Sequence, residues 1–290
     1  MKPLAIPEGA VDTHVHLVDP ERFPFATDAA YRPTPAECGR ATDLAAVLDA
    51  HGFAGALLVN PTSGYGYDNR CMLEGIERTD GRFRGVARVP VNVTKSRLRA
   101  LSLRGIVGVR VDLVGDGLAQ LDAPEFPRLL TSLTDLDLVL QIQCERDQMT
   151  VLAPRLAASR VRVVVDHCGR PDPARGTSQP GFRALLKLAD TGRVAVKISG
   201  PFRFAGDAWP YPRADRFVAA LLASFGPDHC LWASDWPFVR MPHRTDYGPT
   251  LACLARWIPD ARMRRRVLVD TPCAWFGFSR PVAPRDAVGQ

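Results

Sequence analysis

Short runs of apolar and β-branched residues recur along the chain, and each is followed by a segment whose apolar residues have helical spacing. The runs are apolar over nearly their whole length. This predicts strands of a parallel sheet that helices cover on its faces. The eight predicted strands span residues 11–16, 55–60, 83–92, 106–112, 138–144, 161–168, 194–200 and 230–236.

Helical segments are predicted between these strands. In the first of them, Thr42 is the predicted N-cap and Gly52 lies just beyond the C-terminus. The predicted helices span residues 42–50, 69–79, 96–103, 126–133, 146–158, 180–189 and 213–225.

Eight strand–helix units in 290 residues predict a single-domain (β/α)8 barrel, an α/β fold with its core at about residues 10–278. The main alternative is a doubly wound open sheet. Such a sheet that binds a dinucleotide carries a G-x-G-x-x-G turn after its first strand, and this chain has none there. The proline-rich tail after Arg280 is expected to be a loosely held terminus.

Composition narrows the class of protein further. The chain is 46% hydrophobic, and no apolar run approaches the roughly 20 residues that span a bilayer. The first ten residues lack an apolar signal segment, so a cytoplasmic protein is expected. The seven cysteines have scattered spacings and no C-x-x-C pair, which predicts reduced thiols and no disulfide.

The net charge of +6 comes mostly from dispersed arginines. One cluster, formed by Arg262, Arg264, Arg265 and Arg266, lies in a predicted amphipathic helix, 261–267, and is interpreted as a solvated face. No nucleic-acid partner is therefore predicted. The positive net charge is better explained by a small anionic substrate.

Chemistry in such a barrel is expected at the carboxyl ends of the strands. His14 and His16 are two residues apart on the first strand and so share a face, with Asp12 one step deeper. His167 and Asp235 are predicted at the ends of strands 6 and 8. Because strands 8 and 1 are neighbours in a closed barrel, these four groups are predicted to converge on one pocket; the remaining histidines, His51, His229 and His243, are interpreted as structural or loop residues.

Three motifs carry a family resemblance: DTHVH at 12–16, DHCG at 166–169 and ASDWP at 233–237. They resemble the strand 1, 6 and 8 motifs of the amidohydrolase superfamily, within the branch that contains 2-pyrone-4,6-dicarboxylate lactonase and sugar-lactone hydrolases. The resemblance spans about residues 10–278 and implies hydrolysis of a carboxylated lactone.

The resemblance also bears on metals. Two-metal members of the superfamily need a lysine or glutamate ending strand 4 and a histidine ending strand 5. Here those positions read RVD at 110–112 and QIQ at 141–143, which argues against two metals. No metal is predicted to be required; a single Zn²⁺ or Mn²⁺, if present, would bind His14, His16 and Asp235.

Lactone hydrolysis requires a base, an oxyanion site and a proton for the leaving oxygen. Asp235 is the predicted general base, and His14, His16 and His167 are predicted to polarise the carbonyl group. Arg110 is the predicted partner of a substrate carboxylate, because its planar fork binds one through two hydrogen bonds.

Further substrate contacts come from the resemblance. Arg203 lies in a segment that resembles strand 7 of the family and is a candidate for binding the substrate. A structural ion pair is an equally good interpretation of this residue. Ser63 and Tyr31 match positions of substrate-contacting loops. The segment GDG at 115–117 and Gln143 depart from the dicarboxylate lactonase, and both departures argue against the dicarboxylate pyrone as the substrate itself.

Two alternatives stay open at this point. One is a mononuclear zinc amide hydrolase or decarboxylase on the same barrel, although the strand 5 histidine typical of such enzymes is absent. The other is a non-catalytic barrel that binds an anionic ligand, against which the retained histidines and Asp235 argue. The sequence identifies neither the lactone nor the oligomeric state.

Overall fold

The computed structural model describes residues 4–241 and 245–280 and contains one parallel sheet of eight strands in sequential order. The first strand also lies beside the last, because the Thr13 amide donates to the Trp232 carbonyl and the Asp235 amide to the His14 carbonyl. The sheet therefore closes into the predicted (β/α)8 barrel. The strands are β1 (Val11–Val15), β2 (Gly55–Val59), β3 (Phe83–Arg88), β4 (Ile106–Asp112), β5 (Val139–Gln143), β6 (Val163–Val165), β7 (Val194–Lys197) and β8 (Cys230–Leu231).

Helices surround this barrel and cover the outward side chains of the strands. Buried leucines such as Leu44 and Leu48 on the first helix pack into the core between helix and strand. The helices are α1 (Ala41–His51), α2 (Arg70–Glu77), α3 (Lys95–Ser102), α4 (Phe126–Asp135), α5 (Gln148–Ala158), α6 (Pro180–Lys187), α7 (Asp215–Phe225), α8 (Tyr247–Trp257), α9 (Ala261–Arg265) and α10 (Thr271–Phe276).

The start of α1 differs from the prediction. The N-cap is Arg40, not Thr42: the Arg40 amide donates to the Asp43 carboxylate at 2.9 Å, and Ala41 is already helical. The predicted end of the helix is confirmed, because Gly52 has a left-handed φ of 76°.

Strands 6 and 8 are shorter than predicted. β6 ends at Val165, and His167 lies beyond it in a 3-10 turn with a φ of 48°. β8 ends at Leu231, and Asp235 follows it with a φ of 67°. Beyond each strand the backbone takes a positive φ at these two residues, which ends the regular strand conformation before it reaches them. Neither residue is therefore part of a strand, contrary to the prediction.

Two further findings bear on composition. Within the described part of the chain, no helix combines the length and apolarity that crossing a bilayer requires. All seven cysteines are free, and six of them are buried. His243 and the tail after Arg280 lie outside the described residues.

The arginine cluster is not the uniformly solvated face that was predicted. Arg264 is only 7% exposed, and its guanidinium donates to the carbonyls of Ile258 at 2.9 Å, Pro259 at 3.0 Å and Ala5 at 3.3 Å. Arg262, Arg265 and Arg266 are exposed. One arginine of the cluster thus ties the chain before β1 to the segment between α8 and α9.

We expect Arg264→Met to lower the free energy of unfolding by about 2–4 kcal/mol, because three carbonyls lose a buried cationic donor. Arg265→Met, at the exposed neighbouring position, is the control and should change it by less than about 0.5 kcal/mol. Urea unfolding of both variants measures the difference. Equal effects of the two substitutions would contradict a structural role for Arg264.

Candidate active site

A cavity of about 740 Å³ opens at the carboxyl ends of the strands. Its wall contains most of the predicted site residues, namely His16, Tyr31, Ser63, Arg110, His167, Arg203 and Asp235. His14 is fully buried and lies beneath it. The loops after different strands therefore bring together groups that are far apart along the chain.

Asp235 lies among three imidazoles. Its Oδ1 is 3.3 Å from His16 Nε2 and 3.8 Å from His14 Nε2, and its Oδ2 is 3.8 Å from His167 Nε2. The position depends on the closure of the barrel, since the Asp235 amide donates to the His14 carbonyl at 2.9 Å. The four groups that were predicted to converge thus meet at the floor of the cavity.

Hydrogen bonds on their far sides orient the imidazoles. His16 Nδ1 lies 2.7 Å from the Val59 carbonyl, which can only accept, so this nitrogen carries a hydrogen. His16 can therefore donate from Nε2 only as an imidazolium. His167 Nδ1 is 3.0 Å from the Ser199 hydroxyl, and His14 Nε2 is buried without a hydrogen-bond partner among the described residues.

Burial lowers the pKa of His167 to about 4 and, together with the nearby Lys197 ammonium, holds the pKa of His14 well below its usual range. Both rings are therefore neutral at pH 7. Burial acts to raise the pKa of the Asp235 carboxyl, but the positive charge of Arg203, followed by the contacts with the imidazoles, outweighs burial and holds this pKa well below its usual value. Asp235 is therefore an ionised carboxylate.

A second layer of polar groups lies below the imidazoles, and no role was predicted for it from the sequence. Asp166 Oδ1 is 3.2 Å from His14 Nδ1 and 3.2 Å from Lys197 Nζ, and Gln141 bonds both Lys197 and Asp166. Lys197 and Asp166 are both fully buried. Burial lowers the pKa of Lys197 to about 8 although Asp166 raises it. Burial acts to raise the pKa of Asp166, but the Lys197 ammonium is the largest opposing cause, and this pKa is well below its usual value.

The arginines differ in their surroundings. Arg203 Nε donates to Asp235 Oδ2 at 2.7 Å, and its Nη1 donates to the Val239 carbonyl at 2.8 Å. Arg203 therefore forms an ion pair, one of the two roles considered for it from the sequence. Arg110 donates to Gln143, and its Nε lies 3.4 Å from Asp166 Oδ2. Both guanidinium groups line the cavity.

Two further arginines of the wall were not predicted. Arg170 follows the DHCG motif with a φ of 42° and has a buried Nε without a hydrogen-bond partner in the described chain. Arg240 lies over the Tyr31 ring at 5.4 Å. Arg170 could have been noticed as the residue that directly follows a predicted site motif, whereas Arg240 has no such signal.

The two loop residues predicted from the resemblance both reach the cavity. Ser63 lies in the loop after β2. The Tyr31 hydroxyl donates to the Glu37 carboxylate at 2.7 Å. Burial raises the pKa of Tyr31, and the hydrogen bond to Glu37 raises it further. Tyr31 is thereby held in place at the rim.

The donor set fits a single divalent ion. His14, His16 and Asp235 present ligand atoms within 4.8 Å of one another, and so do His14, Asp166 and His167. In the first set the far nitrogen of His16 faces the Val59 carbonyl, as is typical of metal-bound histidines, whereas that of His14 faces both the Asp166 carboxylate and the Lys197 ammonium. These are the residues that were predicted to bind a metal if one is present.

Comparison with known proteins identifies the family. Residues 11–278 match the sequence profile of the amidohydrolase family, and the chain belongs to this family. It is 33% identical to 4-sulfomuconolactone hydrolase of Rhizobium radiobacter over 94% of this chain and 91% of that protein. It is 31% identical to 2-pyrone-4,6-dicarboxylate hydrolase of Comamonas testosteroni, over 92% and 90%.

Solved structures agree with the fold. A structure from Pseudomonas putida, described as a 2-pyrone-4,6-dicarboxylic acid hydrolase, matches this chain with a TM-score of 0.86 and 30% identity. The match covers 95% of this chain and 100% of that chain. An amidohydrolase from Burkholderia multivorans that contains zinc has a TM-score of 0.74 at 20% identity over 95% and 100%, and shows a shared fold.

We expect acid to destabilise the protein between pH 6.5 and about 4, because the folded state lowers the pKa of His167 while an unfolded chain takes up its proton near 6.5. This stability is fully present above pH 6.5 and is lost as the pH falls towards 4. His14 acts in the same direction.

In His167→Asn, the slope of unfolding free energy against pH should fall in this window by up to about 1.4 kcal/mol per pH unit. His229→Asn, in the turn before β8, is the control and should keep the wild-type slope. Urea unfolding at a series of pH values measures both, and an unchanged slope in His167→Asn would contradict a neutral buried ring.

Proposed function

We propose that this protein hydrolyses a small anionic lactone, with Asp235 as the general base. One observation carries the proposal: an ionised carboxylate lies within 3.3–3.8 Å of three imidazoles at the floor of a cavity with arginines in its wall. The related proteins named for a sulfomuconolactone and a pyrone dicarboxylate support the class of substrate.

Asp235 would act through Oδ1, since Arg203 occupies Oδ2. A water next to Oδ1 gives its proton to the carboxylate as its oxygen attacks the lactone carbonyl carbon. The ring C–O bond then breaks, and Asp235 returns the proton to the leaving oxygen. The low pKa of Asp235 makes it a weak base, which suits an activated ester such as an enol lactone.

The imidazoles would stabilise the negative charge that develops on the carbonyl oxygen. The buried and unpartnered His14 Nε2 faces the same space as Asp235, and His167 Nε2 flanks it. His16 would donate to the oxyanion only as an imidazolium, because its neutral ring carries the hydrogen on Nδ1. Donors fixed in a water-poor site stabilise an oxyanion more than water does, because they need no reorganisation during the reaction.

The charge of the substrate would be recognised by the arginines of the wall. Arg110 and Arg170 are the proposed partners because both line the cavity; Arg110 Nε also lies 3.4 Å from Asp166 Oδ2, and Arg170 Nη2 lies 3.3 Å from Glu145 Oε2. A guanidinium fork fits a carboxylate or a sulfonate equally well. Ser63 and Tyr31 would complete the contacts at the rim. Asp112 and Asp116 line the same cavity and disfavour a second anionic group beside the loop after β4.

We propose further that no metal is required. His14, His16 and Asp235 would hold a single Zn²⁺ or Mn²⁺, which supplies Lewis-acid polarisation of a carbonyl when bound. Lys197, Arg110 and Arg203 already balance the charges of Asp166 and Asp235, each at 3.4 Å or less from a carboxylate oxygen. A dication would add unbalanced positive charge to this buried cluster.

A mononuclear zinc amide hydrolase or decarboxylase is the second candidate, and the fit of His14, His16 and Asp235 to one ion favours it. Its products differ from those of a lactonase. Release of an amine or of carbon dioxide identifies it, whereas a lactonase releases only the ring-opened acid. The cytoplasmic location and the absence of a nucleic-acid partner stay predictions.

Asp235→Asn tests the proposed function. We expect kcat/KM for an anionic lactone to fall by about 100- to 10,000-fold, because the base is lost, while the lactone still binds. A panel of pyrone carboxylates, muconolactones and aldonolactones, followed by loss of lactone absorbance or by acid release, measures the rates, and calorimetry measures binding.

Asp116→Asn is the matched control. Asp116 lines the same cavity but pairs with Arg88 and does not contact the imidazoles, so we expect wild-type kcat within about 5-fold. Folded wild-type protein that opens no lactone of the panel would contradict the proposed function. Retention of the wild-type rate in Asp235→Asn would contradict the role of this residue.

A further inference from the structure

His14 Nδ1 faces two groups of opposite hydrogen-bonding character. Lys197 Nζ, a donor, and Asp166 Oδ1, an acceptor, both lie 3.2 Å from it. The two groups are themselves 3.2 Å apart. Either contact is possible geometrically, but each requires a different tautomer of the ring, because a neutral imidazole carries one hydrogen.

The ammonium of Lys197 decides between them. It has three N–H donors and three acceptors within reach: Gln141 Oε1 at 2.8 Å, Asp166 Oδ1 at 3.2 Å and His14 Nδ1 at 3.2 Å. If Nδ1 carried the hydrogen, two donors would face each other, and one N–H of a fully buried lysine would be left without an acceptor.

Asp166 does not need the hydrogen of His14. Its Oδ2 accepts from Gln141 Nε2 at 3.0 Å and lies 3.4 Å from Arg110 Nε. Its Oδ1 forms an ion pair with Lys197 Nζ at 3.2 Å. The arrangement in which His14 Nδ1 accepts from Lys197 therefore gives each N–H of the ammonium an acceptor, and the same ammonium lies between the two acceptors His14 Nδ1 and Asp166 Oδ1, which are 3.2 Å apart.

We propose that Lys197 is a positioning residue that sets the tautomer of His14, so that Nε2 carries a hydrogen and faces Asp235 below the cavity as a donor. The buried Nε2 has no hydrogen-bond partner among the described residues, which is consistent with a donor whose acceptor is a substrate atom such as a carbonyl oxygen. In this tautomer Nε2 has no free lone pair and cannot bind a cation.

The opposite tautomer belongs to a metal site. If Nδ1–H donated to Asp166, then Nε2 would present its lone pair beside His16 Nε2 and Asp235 Oδ1, in the carboxylate–histidine–metal arrangement. Lys197 thus favours an N–H group of His14, rather than a metal bound by His14, His16 and Asp235, as the group that polarises the substrate carbonyl. The catalytic part of this inference rests on the proposed lactone hydrolysis, whereas tautomer and metal affinity do not.

Lys197→Met tests the inference, because methionine has a similar length and no donor. His14 Nδ1–H should then turn to Asp166. We expect the affinity for Zn²⁺ alone, measured by competition with a chromophoric chelator, to rise about 10- to 100-fold. Metal-free kcat/KM should fall about 100-fold or more, and added Zn²⁺ should restore part of it. A merely structural role would lower activity without raising zinc affinity.

Gln141→Met is the matched control. It removes a neighbour of Lys197 in the same layer but leaves the contact between Lys197 and His14, so zinc affinity should stay at the wild-type value. An equal rise in zinc affinity in both variants would overturn the specific role of Lys197.

Nitrogen-15 NMR of the imidazoles in metal-free wild-type protein gives a test that needs no stable Lys197 variant. Spectra of a His14→Gln variant identify the signals of His14. We expect His14 as the Nε2–H tautomer; the Nδ1–H tautomer would overturn the inference. If the tautomer and zinc results hold but no lactone is hydrolysed, the proposed function fails while the role of Lys197 stands.

Discussion

The ion pair between Lys197 and Asp166, fully buried at the centre of the barrel, is the interaction on which the rest of the site depends. Removing two charges from water is costly unless each finds hydrogen-bond partners. Here Gln141 and His14 supply those partners, and the pair in turn fixes the ring of His14. The orientation of the ring that faces Asp235 is thereby set from below the cavity.

The same principle applies one layer higher. Asp235 stays ionised in a buried position because Arg203 and the imidazoles offset the cost of its burial. Arg203 therefore influences the basicity of the group that would activate water, in addition to any contact with a substrate. A weakly basic, fully ionised carboxylate is suited to esters with good leaving groups.

Much of the fold was predictable, because apolar strands alternate with amphipathic helices along nearly the whole chain. His14 and His16 were predictable as a pair from the strand period of two. Asp235 and His167 were predicted for the site but as strand ends, since their positive φ values have no signal in an apolar pattern. Lys197 was passed over because a lysine at the end of a strand usually faces solvent, and its burial depends on His14 of β1, Gln141 of β5 and Asp166 just after β6. Arg264 was misread because its acceptors are backbone carbonyls, which composition does not reveal.

In the proposed mechanism, hydrogen-bond donors, and not a metal, polarise the substrate. The most direct measurement is kcat/KM for an anionic lactone across preparations whose bound metal, determined by elemental analysis, ranges from none to one equivalent. We predict a rate per protein molecule that does not depend on metal content. A rate proportional to bound metal, falling to zero in metal-free protein, would contradict this mechanism.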